Sequence, residues 1–122
     1  MKKNIFLIIV CLCTNIKAQG QDSFLGFWAN EDTTQIIKIY KSEKSYYGKM
    51  VYLKNKDAKE FKYEIVLIQV KKKNKKLYTG RYYDNSLNQE YEVKLELEND
   101  KTINFTGFYG ISNIFSVWHR ML

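Results

Sequence analysis

The stretch EYEVKLEL, Glu90 to Leu97, alternates without a break. Tyr91, Val93, Leu95 and Leu97 fall on one parity, Glu90, Glu92, Lys94 and Glu96 on the other. Successive side chains of a strand point to opposite faces, so this pattern demands a strand with one face buried and the other wet. TINFTGFY repeats the period, with Ile103, Phe105, Gly107 and Tyr109 on one face. No segment sustains a helical period, and the chain contains no proline. GFWA, TQIIKIYK, SYYGKMVYL, YEIVLIQVK, LYTGRYYD and FSVWHRM bring the expected strands to eight. The segments between them, SEK, KKKNKK, DNSLNQ, ENDK and GISN, are polar, and most are short enough for hairpins. Strands joined in order by hairpins predict an all-β fold: a single antiparallel up-and-down barrel of about eight strands, whose closure removes exposed edges. Gly48, Gly80 and Gly107 lie inside strands, where a missing side chain marks a bulge or sharp bend of the kind that barrels and sandwiches both use.

Ahead of the first strand, Lys2 and Lys3 precede an apolar run from Ile5 to Cys13 and a polar segment ending at Ala18. That order predicts a signal peptide over residues 1–18, its core far shorter than the ~20 residues a membrane span needs. Neither IIVC nor CLC has the small residue expected before a lipidated cysteine, which favours release into the periplasm or medium over anchoring. Both cysteines, Cys11 and Cys13, lie in this leader, so the expected mature domain, 19–122, has no disulfide and no thiol chemistry. Without Lys2, Lys3 and Lys17 the 20 basic residues become 17 against 13 acidic, and the formal charge falls from +7 to +4. Much of the basicity therefore belongs to export.

Gly26-Phe27-Trp28 near the start is answered by Trp118-His119-Arg120 near the end. The pair resembles the closing plug of lipocalin and fatty-acid-binding (calycin) barrels, in which an arginine of the last strand lies across the first-strand indole. The physical content is a cation on an aromatic face, with guanidinium donors left for nearby carbonyls. More narrowly, GFW, IIKIY, YYGKMVYL, GRYYDNSLNQEY, INFTGFYGI and WHR follow in order the pattern of a bacterial exported family of unknown function, numbered twenty-one forty-seven. Nearly all of the expected mature chain resembles it. The family's Asp-x-x-Asn-Pro segment is replaced by KNKDAKEFKY, and a tryptophan common before its Gly-x-Ile-Tyr-Asp stretch is Leu77. The resemblance implies a lipocalin-like barrel and structural closure by Gly26, Trp28 and Arg120.

Catalytic chemistry finds little purchase. His119 is the one histidine, and Ser116, three residues away on the same expected strand, falls on its opposite face. Asp84, Ser86, Asn88 and Glu90 alternate as in a calcium loop but lack its glycine and carboxylate density, so they read as a hairpin turn. No catalytic residue, metal ligand or cofactor is expected. Lys71, Lys72, Lys73, Lys75 and Lys76 surround Asn74 and read first as a solvated hairpin tip, second as a basic contact for an anionic envelope surface. Tyr46, Tyr47, Tyr82, Tyr83 and Tyr91 could stack nucleic-acid bases, but export argues against that partner and strands favour aromatics in any case. The expected function is therefore an exported, non-enzymatic barrel holding a small apolar or amphipathic ligand, with Tyr91, Val93, Leu95, Ile103 and Phe105 lining its interior. The alternative is a solid barrel that contacts anionic lipid or a protein partner through its lysine tip.

Overall fold

A computed structural model of the chain describes residues 23–54 and 64–121. The expected leader, both cysteines and most of the KNKDAKEFKY segment lie outside the described residues. Among the described residues there are eight strands: β1 (Gly26–Asn30), β2 (Gln35–Ser42), β3 (Ser45–Leu53), β4 (Ile65–Lys72), β5 (Leu77–Asp84), β6 (Gln89–Asn99), β7 (Thr102–Tyr109) and β8 (Ser112–Arg120). Each pairs antiparallel with its neighbours in sequence, and β1 pairs with β8 to close the barrel. All eight expected strands form.

The alternation read in β6 is realised residue by residue: Tyr91, Val93, Leu95 and Leu97 are buried, and the residues between them are exposed. In β7, Ile103, Phe105 and Gly107 are buried as expected, but Tyr109 is 40% exposed. Parity alone points Tyr109 inward. By that position the strand has reached the rim, and its ring leans on Tyr91 at 5.8 Å between centroids. The expected GISN turn also shortens to Gly110 and Ile111, because Tyr109 already pairs with Ser112. Gly110 supplies the positive φ (62°) that so tight a reversal needs.

Curvature comes from register shifts. They fall between Ile36 and Ile37, around Gly48, between Ile68 and Lys71, and between Leu97 and Asn99. Gly48 and Gly80 therefore mark irregular pairing as expected. Gly107 does not, since its pairing with Val93 and Ile114 is regular. Its missing side chain makes room for the Tyr91 ring, which a Cβ would approach to 2.4 Å.

Because the chain runs up and down, the start of β1, the β2–β3, β4–β5 and β6–β7 turns and the end of β8 gather at one end, the floor. The β1–β2, β5–β6 and β7–β8 turns gather at the opposite end, the mouth.

Candidate functional site

The floor is built on the Trp28 indole, fully buried, whose Nε1 donates to the Phe24 carbonyl at 3.0 Å. The shortest seam of the barrel, β1 with β8, sets Arg120 opposite Trp28. The guanidinium carbon lies 4.3 Å from the centroid of the indole ring. Its nitrogens donate to carbonyls ahead of and across from the seam: Nε to Asp100 at 2.6 Å, Nη1 to Leu25 at 2.7 Å, and Nη2 to Ser23. Burial lowers the guanidinium from its ordinary pKa, and Asp100 opposes the shift. Gly26 is required twice. Its φ is +121°, and a Cβ there would stand 2.8 Å from Arg120 Nη1. The glycine thus makes room for the guanidinium as well as for the backbone. At the same end of the core, Phe24 stacks on Tyr78 at 3.9 Å and meets Tyr46 edge-on at 5.2 Å.

Above the floor the interior is filled. Leu95, Ile103 and Phe105, three of the five expected lining residues, surround a residual cavity of about 10 Å³ together with Trp28, Tyr82 and Trp118. Tyr91 and Val93 are buried nearer the mouth and do not border it. Tyr82 and Trp118, which were not among the expected lining residues, hold Phe105 between them, with ring centroids 5.0 and 6.3 Å from it. The signal for Trp118 was its parity with Ile114 and Ser116, masked by apolar Phe115 and Val117 on the outward face. Among the described residues, Trp118 Nε1 is buried without a hydrogen-bond partner.

Tyrosine hydroxyls close the mouth. Tyr82 donates to Gln35 Oε1 at 3.1 Å, and Tyr91 to Asp84 Oδ2 at 2.7 Å. Burial pushes both phenols well above their ordinary range, reinforced at Tyr91 by the Asp84 hydrogen bond. Asp84 also accepts from the Ser86 amide and hydroxyl, each at 2.9 Å, and from the Leu87 amide at 3.2 Å. It therefore organises the β5–β6 turn and anchors a core tyrosine at once.

The remaining candidates are dispersed. Lys71, Lys72, Lys73, Lys75 and Lys76 are all exposed, around a turn in which Asn74 Oδ1 accepts from the amides of Lys76 and Leu77 at 3.0 Å. Lys72 lies 5.9 Å from the Tyr78 ring. With Lys44 and Lys101 in the neighbouring turns, the floor end is basic. His119 is exposed on the outer wall while Ser116 has the inward parity, so the two do not meet. Tyr46, Tyr82, Tyr83 and Tyr91 are buried, and Tyr47 stacks on Tyr40, so they form no exposed platform.

A family model described as an uncharacterized protein conserved in bacteria (DUF2147) matches residues 26–120. Its limits fall on Gly26 and Arg120, the two residues that meet at the floor. Protein HP1028 from the human pathogen Helicobacter pylori, described as belonging to the lipocalin family, superposes with a TM-score of 0.66 over 80% of this chain and 82% of that one. At 16% identity the likeness shows a shared fold, a lipocalin-like barrel. No curated protein matches the chain.

Proposed function

We propose, for a chain that belongs to the bacterial DUF2147 family and folds as a lipocalin-like barrel, the role of an exported, non-enzymatic binding protein. Its ligand is one small apolar or amphipathic molecule taken into the barrel from the mouth. The observation that carries this reading is the make-up of the centre. Apolar side chains line the central cavity, the Trp118 ring among them, and the buried Trp118 Nε1 has no acceptor among the described residues. An unpaired buried donor costs about 1–3 kcal/mol, which an acceptor on an amphipathic ligand recovers. In this reading, room for a ligand comes from Tyr82 and Phe105 swinging aside once the Tyr82–Gln35 hydrogen bond opens.

The test is native mass spectrometry of protein from its own envelope, before and after organic extraction, with tryptophan fluorescence during titration with dodecanoate. A mass lost on extraction and a saturable fluorescence change that weakens in Trp118→Phe support the reading. Bare protein with unchanged fluorescence overturns it.

One observation favours a second reading, a solid barrel acting through its surface. A cavity of about 10 Å³ is no larger than a single water, whereas ligand pockets run to several hundred Å³. The basic floor end then meets an anionic membrane. Sedimentation with phosphatidylglycerol vesicles, weakened by salt and abolished in a variant with Lys72, Lys73, Lys75 and Lys76 changed to Glu, supports it. No sedimentation at low salt excludes it.

A further inference from the structure

The outer wall carries a feature that neither reading uses. Between Ile68 and Lys71 the pairing of β4 with β5 is broken by a bulge, and Gln69 stands in the left-handed region at φ 48°. A non-glycine residue held there is strained, and bulges in strands re-aim side chains. Opposite, Gly80 lets the bulged strand press in, since a Cβ at that position would lie 2.8 Å from the Val70 Cα. Outside the bulge lies a groove of about 430 Å³, within the range of small-molecule sites.

Register defines what faces it. Lys71 pairs with Thr79, and Thr79 with Lys94, so two lysines flank one threonine across three strands, all three lining the groove. The next row runs from Ile68 to Arg81, Glu92 and Phe108. Glu92 is the carboxylate lining the groove, and Arg81 lies 3.9 Å from it while bonding Glu90. That pairing leaves Lys71 and Lys94 as the groove's unneutralised cations: among the described residues neither makes an ion pair. Phe108, 43% exposed on a solvated wall, supplies a flat apolar side.

We infer that this groove binds a small molecule bearing one anionic group (phosphate, sulfate or carboxylate) on a flat apolar body. The anion sits between Lys71 and Lys94 over Thr79, with Gln69 as a further hydrogen-bond donor, and the ring rests on Phe108.

The experiment is a ¹⁵N-resolved titration of the protein with 1-naphthyl phosphate, with inorganic phosphate and 1-naphthol as partial ligands. Saturable shifts at the amides of Gln69, Lys71, Thr79, Gly80 and Lys94 are expected, with weaker binding of each partial ligand. The exposed pair Lys71→Gln and Lys94→Gln should weaken binding roughly tenfold with the melting midpoint unchanged, the loss of about one charge-assisted hydrogen bond. Unmoved groove amides, or equal affinity in the double variant, overturns the inference. Shifts confined to the Trp118 indole and Ile103 also overturn it while supporting interior binding, so the two proposals fail separately.

Discussion

Arg120 contributes through several contacts that one substitution removes together. Arg120→Ala deletes the cation over Trp28 and leaves three carbonyls, of Ser23, Leu25 and Asp100, without their donor. A cation on an aromatic face and hydrogen bonds from a charged group together place the expected loss at about 3 kcal/mol, read as a lower urea midpoint. Arg120→Lys keeps the charge but not the planar fork, so it should recover less than half of that loss. Recovery of the full midpoint by lysine would show that charge alone closes the floor. Gly26→Ala acts on the same contact from the other side. It forces a Cβ onto Arg120 Nη1 in a backbone region that suits glycine. About 1–3 kcal/mol is expected, and an unchanged midpoint would show that the seam yields without strain. Both residues were legible through the resemblance of GFW and WHR to the calycin plug, which sets an aromatic near one end of the chain and a cation near the other. That glycine clears the guanidinium was not legible, since it depends on a side-chain path across 94 residues of sequence separation, from Gly26 to Arg120.

Among the elements, the β5–β6 hairpin couples turn chemistry to the core. Asp84→Ala removes the acceptor of the Ser86 and Leu87 amides and strands the Tyr91 hydroxyl. A loss of about 2–3 kcal/mol is expected. Tyr91→Phe in the same chain should return part of it, because no buried hydroxyl is then left without a partner, and strict additivity of the two variants would show the contact to be idle. Tyr82, deeper in the wall, makes stability depend on alkaline pH. Its folded pKa is raised by burial above the ordinary value near 10, so the unfolded chain releases that proton first. The contribution is complete below about pH 10 and is lost as pH rises above it, at about 1.4 kcal/mol per pH unit. Tyr82→Phe should flatten the fall in unfolding free energy between pH 10 and 12, and an unaltered slope would show that Tyr82 titrates normally. The same hairpins show what sequence reveals. EYEVKLEL separates its faces cleanly, so β6 was readable to the residue. EIVLIQVK is apolar on both parities, which hid the bulge at Gln69 and the groove outside it. Interior volume was hidden for another reason: it is the sum of side chains from all eight strands, and no single run records it.

For the molecule as a whole, the barrel closes last where its chain ends meet. Seven of the eight seams join strands adjacent in sequence, while β1 and β8 are joined across the full length of the domain. That final seam has three paired positions, from Trp28 with Arg120 to Asn30 with Trp118, fewer than β5 with β6 or β7 with β8. Hairpins form their contacts at short loop-closure cost, and a seam spanning the domain forms only after the sheet has brought the ends together. The floor contacts of Arg120 therefore belong to the late part of folding. A contact absent from the transition state stabilises the native state without speeding its formation. Arg120→Ala should accordingly raise the unfolding rate by nearly the whole of its stability loss, roughly a hundredfold for 3 kcal/mol, and leave the folding rate within about twofold. Stopped-flow refolding and unfolding in urea separate the two limbs. A folding rate that falls in proportion to stability would instead place the β1–β8 seam in the nucleus, and the barrel would then assemble around its plug rather than being sealed by it.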